Sequence, residues 1–366
     1  MTGSRVRGSR VRAGAIVTAA AFAVGAAGMT ATKAGATTGP SWRITQDVHS
    51  GTFGEFTAVT AVGKTGGWAF NGVSTPTAWQ RSGSTWTKVP FPGNNSMGPV
   101  IEAAATSPGD VWAFTAGVTN SRVLRWNGKA WSLVRTFQRQ IGGAVVLSAS
   151  DVWVFGEPDI PGAGLGAVHY NGHTWTSVPG GAGLQGGSGL SADSIWAFGG
   201  SDVAHWNGRG WSRTNVARLL PARQQLNGPM VTGIYAQSPD SVYAIGNGDL
   251  EDEGGPVVVL HYNGHSWTKV AEGNYGYGTQ PLQQISSDGH GGLWLPMPGV
   301  DGQPSYLLHY ANGTLTRATL PVPSSEITID AVALIPGTTD LLGGGYTHAA
   351  NNPGNNVVSV LLQYGS

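Results

Sequence analysis

From about residue 41 onward, apolar and polar residues alternate with a period of two, in runs of five to eight residues broken by Gly, Pro, Asn and Asp. A period of two marks strands with one face buried, and the breakers mark the turns between them. One stretch shows the unit clearly. Residues 232–237 predict strand A, and Ser238-Pro239-Asp240 turns the chain into strand B at 242–246. A long loop leads to strand C at 257–262, and Asn263-Gly264 turns it into strand D at 266–270. Asn-Gly between two β-rich runs is a strong hairpin signal, because both residues tolerate positive φ.

The unit repeats. Asp110-Val111-Trp112-Ala113-Phe114 returns as Asp151-Val152-Trp153, Asp193-Ser194-Ile195-Trp196 and Asp240-Ser241-Val242-Tyr243, with weaker copies around Trp68, Trp294 and Leu341. The anchors are spaced 44, 41, 43, 47, 51 and 47 residues apart, the spacing of propeller blades. A second motif follows each anchor, as in Trp126-Asn127-Gly128 to Trp131, with degenerate forms at Trp79 to Trp86 and Tyr310 to Leu315. The pattern predicts an all-β fold: a seven-bladed β-propeller of four-stranded antiparallel blades. All 14 tryptophans fall on strands B, C or D of this scheme, which assigns them to packing between blades and leaves none over as a ligand platform.

The two ends complete each other. The seventh copy stops after a strand C ending at Tyr364-Gly365, and an orphan strand D begins at Ser41-Trp42-Arg43-Ile44-Thr45. Pairing them closes the ring in the last blade and removes the open edges of the sheet.

Strand B ending in glycine (Phe198-Gly199-Gly200), followed by an aromatic residue in strand C and Trp in strand D, resembles the repeats of kelch-type secreted bacterial propellers. The turn Asn263-Gly264-His265-Ser266-Trp267 is similar to an Asp-box with Asn for Asp. The resemblance covers about residues 41–366. It implies architecture more than chemistry, since such propellers include lectins, adaptors, glycosidases and oxidases. Trp42-Arg43-Ile44-Thr45 also resembles the Arg-Ile segment of sialidases, but the proline is missing and seven repeats replace six. Galactose-oxidase-like propellers cross-link a tyrosine to a cysteine, and this chain has no cysteine.

Ahead of the repeats, Arg5, Arg7, Arg10 and Arg12, an apolar Ala/Gly-rich run and Ala34-Gly35-Ala36 read as a signal peptide over residues 1–36. The expected product is one secreted, extracellular propeller domain over residues 37–366, without a membrane span. Losing those four arginines and Lys33 leaves the acidic residues in excess by about five, which argues against a nucleic-acid partner. Without cysteines, the exported fold must stand without disulfides.

The A–B and C–D turns are short and uniform and share one face. The B–C and D–A loops are long and varied and share the other, which is the expected ligand face. Candidate ligand-binding residues there are Tyr275 and Tyr277 around Gly276, Phe137 and Arg139, Arg218 and Arg223 in the long 213–230 connection, and Tyr346. Asp249, Glu251, Asp252 and Glu253 form the densest acidic run, a weak Ca²⁺ candidate that fits no EF-hand loop. No other cofactor and no catalytic residue is expected. His169, His205, His261 and His309 recur before the strand C aromatic, as a repeat position on the blade surface. These features favour a monomeric, non-catalytic binding protein for an extracellular glycan, cell-wall polymer or protein. The alternative is a glycan-active hydrolase or lyase, whose carboxylate pair could come from Glu157, Asp159, Glu272, Asp301 and Glu326.

Overall fold

The computed structural model describes residues 39–49, 54–94, 97–117, 119–156, 164–221, 229–247, 256–275, 284–297, 305–348 and 357–365. The proposed signal peptide lies outside them. The described residues form seven four-stranded antiparallel sheets, the blades, each a meander from inner strand A to outer strand D. Blades I to VI span residues 56–89, 100–137, 143–177, 186–215, 230–274 and 286–317. Blade VII takes strands A to C from residues 327–365 and strand D from Ser41–Val48. Ser41 pairs with Gly365, Trp42 with Tyr364 and Val48 with Ser359, so the ring closes as the two chain ends predict. No helix among the described residues is long and apolar enough to cross a membrane.

An aromatic relay joins the blades. Four strand B tryptophans lie against the strand C and strand D rings of the next blade, and Trp112 and Tyr243 meet the strand C ring alone. Trp68 meets Trp126 and Trp131 at 4.8 and 5.1 Å. Trp153 meets Trp206 and Trp211 at 5.4 and 5.9 Å, and Trp196 meets Tyr262 and Trp267 at 5.0 and 5.9 Å. Trp294 meets Tyr364 and Trp42 at 5.1 and 5.6 Å. Trp42 thus pairs into blade VII while its ring fills the VI–VII junction, as Trp131 fills the I–II junction. Trp112, Trp153 and Trp196 are equivalent and buried.

The recurring histidines serve this relay rather than the blade surface. His169, His205 and His309 stack flat on Trp153, Trp196 and Trp294 of their own blades at 4.3–4.5 Å. In blade II, Arg125 takes that place over Trp112. An acid at the A–B turn fixes three of these cations or imidazoles: Asp151 bonds His169 at 2.8 Å, Asp288 bonds His309 at 2.9 Å and Asp110 accepts from Arg125 at 2.6 Å.

Two details of the repeat differ from the sequence expectation. In the Asn-Gly turns at 127, 171, 207 and 263 only the glycine has positive φ. The Asn instead accepts two backbone N–H bonds at its Oδ1, as Asn127 does from Lys129 and Ala130 at 3.0 Å each. It is selected for its side-chain acceptor. Register also shifts the degenerate copies. Leu342 rather than Leu341 stands opposite the strand C brace position, at Gln363. In blade I the aromatic place is held by Arg81, opposite Gly67 and Trp86, while Trp79 sits two residues earlier.

Two outcomes test this architecture. Trp153→Ala, which empties one junction, should cost about 3–5 kcal/mol in chemical denaturation. Deleting residues 41–48 should lower the thermal midpoint by roughly 10 °C or more and promote self-association, because strand C of blade VII becomes an open edge. An unchanged midpoint would contradict closure by that strand.

Candidate functional site

Each D–A connection enters strand A from the loop face, so the first residues of the strands A ring the mouth of the central channel. Their inner edges have no neighbouring strand, and their free N–H groups need acceptors. Side chains of other blades supply several. Ser188 accepts from Ala236 N–H at 3.0 Å, Ser286 from Leu334 at 2.8 Å and Gln284 from Val59 at 3.0 Å. Glu102 does the same for Ala144 at 2.6 Å.

Glu102, Gly143, Gly186, Ser188 and Tyr235 help to line a channel cavity of about 230 Å³. The glycines permit close packing here, since a Cβ on Gly187 would stand 2.7 Å from the Phe155 ring. Glu102 keeps some contact with the channel but is walled by protein. That burial pushes its carboxyl group up to about 8, against the opposing pull of the Ala144 N–H. Nearer the mouth, Asp330 is the extra residue of a β-bulge between Ile329 and Ala331. Its Oδ2 is buried without a partner. Burial raises Asp330 well above the usual carboxylate range, and the Glu55 carboxylate adds to the shift. Glu55 is itself raised by burial. Tyr346 stands by this pair: burial and both acids raise its hydroxyl group, while its hydrogen bond to Thr328 opposes them.

A second cavity, of about 540 Å³, opens where blade VII meets blade I. Its walls are the end of Ser41–Val48 with His49, the B–C loop of blade I, and Asn71, Thr77, Trp79 and Lys88. Trp79 lies here because of the register of blade I. The equivalent residues Leu124, Val168, Ala204, Leu260, Leu308 and Leu362 are all buried aliphatics. A tryptophan is too large for that place. It packs an edge on Phe56 at 6.2 Å and stays half-buried at the cavity wall. Asn71 is 4% exposed, and its Nδ2 has no partner. Trp79 thus packs on the cluster around Phe56, as the sequence pattern assigns it, and also forms part of a cavity wall.

No family model matches this chain, and no curated protein matches it by sequence. Solved structures do match. YCF48 bound to D1 peptide superposes with a TM-score of 0.55 at 13% identity, covering 89% of this chain and 97% of that one. The WD40 β-propeller domain of Doa1 gives 0.58 at 11% identity, covering 88% and 97%. The extracellular domain of the putative one-component system BT4673 from B. thetaiotaomicron gives 0.54 at 10% identity, covering 86% of this chain and 39% of that one. The likeness is one of fold.

On this propeller the residues singled out from sequence are dispersed around the ring. Tyr346 joins the Glu55–Asp330 pair. Tyr275 is tied to blade VI, donating its hydroxyl hydrogen to Leu315 O at 2.8 Å with Arg317 over its ring. Phe137 is buried against Trp175. Arg139 and Arg218 are exposed, Arg218 on a short 3₁₀ turn, Ala217–Leu219. Arg213 braces the preceding connection, donating to Gly180 O and Ala182 O at 2.9 and 2.6 Å. Arg43, the residue of the sialidase resemblance, donates to Gly365 O at the ring closure. Of the carboxylates weighed as a pair, Glu272 is exposed and bonded to Lys269. Tyr277, Arg223, Glu157, Asp159, Asp301 and the acidic run Asp249, Glu251, Asp252 and Glu253 lie outside the described residues. Among the described residues, no three His, Asp or Glu side chains group as a metal site. Sequence reasoning missed Glu55, Glu102 and Asp330. The available signal was an acid inside or beside an apolar strand A, as in Val100-Ile101-Glu102-Ala103 and Ile327-Thr328-Ile329-Asp330-Ala331.

Because Glu102 ionises at a higher pH in the folded chain than the ordinary 4.5, its ionisation opposes folding. Its contribution is most favourable below pH 4.5, declines as pH rises, and is fully lost above about pH 8. Glu102→Gln keeps an acceptor for Ala144 and removes the charge. It should stabilise the protein at pH 9, by on the order of 2 kcal/mol in urea denaturation, and change little at pH 4. Equal effects at both pH values would show that the charge is not buried.

Proposed function

We propose that this chain is a secreted, monomeric, non-catalytic binding protein that holds an extracellular partner on its loop face, at the cavity between blades VII and I. The observation that carries the reading is Trp79: a tryptophan displaced from the repeated packing place onto the wall of a cavity that also bears an unpartnered Asn71 amide. Ligand sites combine apolar area with a few convergent polar groups, and the cavity has both in a volume within their usual range. The basic and apolar leader supports secretion, and the closed ring, in which all seven blades have their four strands, supports a monomer. The excess of acidic residues in the mature chain speaks against nucleic acid. That a similar propeller has been solved holding a peptide supports the use of such rings for binding. A glycan, a cell-wall polymer and a protein are the partner classes in view.

The Glu55–Asp330 pair favours a second reading, a glycan-active enzyme. Such enzymes need one protonated and one ionised carboxyl group, and mutual repulsion in a buried pair supplies that difference.

One experiment separates these readings. Residues 37–366 are immobilised and challenged with purified cell-wall fragments and secreted proteins of the source cell. Retention that falls at least about tenfold in Asn71→Ala/Trp79→Ala, a loss of about 1.4 kcal/mol, but persists in His173→Ala/Arg209→Ala/His265→Ala on the turn face, is the expected result. Retention lost only in the turn-face variant would place the ligand on the wrong side. Release of reducing sugar by the wild type that Asp330→Asn abolishes would favour the enzyme.

A further inference from the structure

We infer that the cavity between blades VII and I takes a carboxylate-bearing saccharide, a uronic acid unit. This rests on the loop-face reading above and names its ligand class.

A sugar ring presents an apolar C–H face and a belt of hydroxyl groups, so its recognition needs an aromatic plate flanked by hydrogen-bonding side chains. Trp79 supplies the plate. Phe56 pins it by an edge contact at 6.2 Å and 75°, which holds the indole in place before any ligand arrives. A fixed aromatic wall loses little freedom on binding. Around it stand His49, Asn71, Ser74, Thr75 and Thr77, a set rich in amide and hydroxyl groups. Asn71 is the informative member. Its Nδ2 is buried without an acceptor, so a ligand oxygen gains that hydrogen bond once the wall shifts enough to admit it.

Charge sets the kind of sugar. Lys88, exposed on strand D of blade I and paired in register with Trp79, puts an ammonium group at the cavity wall. No Asp or Glu is among the described lining residues. A cation beside the plate, with no acid among the described lining residues, favours an anionic sugar over a neutral one.

The ring closure builds this site. Val48 and His49 come from the N-terminal strand, while Asn71, Trp79 and Lys88 come from blade I. The two parts of the wall meet only because residues 41–48 are drafted into blade VII.

The test titrates the mature chain with a galacturonic acid trisaccharide and with a neutral galactose trisaccharide, by calorimetry and saturation-transfer NMR. The expected result is binding of the uronate at least about fivefold tighter than the neutral sugar. Trp79→Ala should weaken both at least about tenfold, and Lys88→Met should bring the uronate to within about twofold of the neutral sugar. Lys88 is exposed, so its variant keeps the test open if Trp79→Ala unfolds. No saccharide binding by folded wild type, or uronate binding untouched by both substitutions, overturns the inference. Wall fragments or proteins retained through Asn71 and Trp79 with no trisaccharide bound would sink the saccharide alone and leave the loop-face reading standing. A trisaccharide whose binding vanishes only in the turn-face variant would sink both.

Discussion

The pairing of Ser41–Val48 with the last strand of the chain is the contact on which the rest of the structure depends. A meander of seven blades has two open ends, and each leaves a sheet edge and a half-filled interface. Antiparallel pairing across more than 300 residues of sequence closes both. It also places Trp42 on Trp294, completing the VI–VII junction, and carries Arg43 to the carbonyl of Gly365. The same strand ends beside blade I, so the closure that stabilises the ring also walls the seam cavity.

Around the ring the polar residues that look most chemical are spent on the scaffold. Histidine, arginine and aspartate form a brace that holds a strand B indole on one side while the next blade packs on the other. An imidazole stacked on an indole and bonded to a carboxylate has its partners already. Glu102, Ser188, Ser286 and Gln284 likewise cap N–H groups that the inner strand edges leave free. Periodic polar residues in a repeat protein are therefore part of its packing, and chemistry is better sought where the repeat is broken.

Blade I is where it breaks most. A buried arginine takes the aromatic place, and Arg81 donates to Lys64 O instead of filling the ring interface with an indole. The tryptophan moves two residues along the strand, onto the loop-face half of the blade. Opposite it, blade VII carries the bulge that turns Asp330 toward Glu55. The bulge at Asp330, the unpartnered Asn71 amide and the larger cavity thus lie on either side of one seam.

By itself the sequence determined the seven repeats, the four strands of each, the place of every tryptophan on strands B to D, and the closure by the N-terminal strand. It could do so because these are local or periodic properties: alternation, turn residues and spacing recur seven times and average out single exceptions. Only the tertiary structure decided the register of blade I, the partners of the histidines and which acids share a site. Trp79 and Arg81 read alike as parts of a degenerate motif until the strand pairing shows which one faces Gly67. Glu55 and Asp330 are 275 residues apart in sequence and become neighbours through ring closure alone. Burial, which gives those acids and Glu102 their unusual protonation, belongs to the channel that all seven blades enclose together.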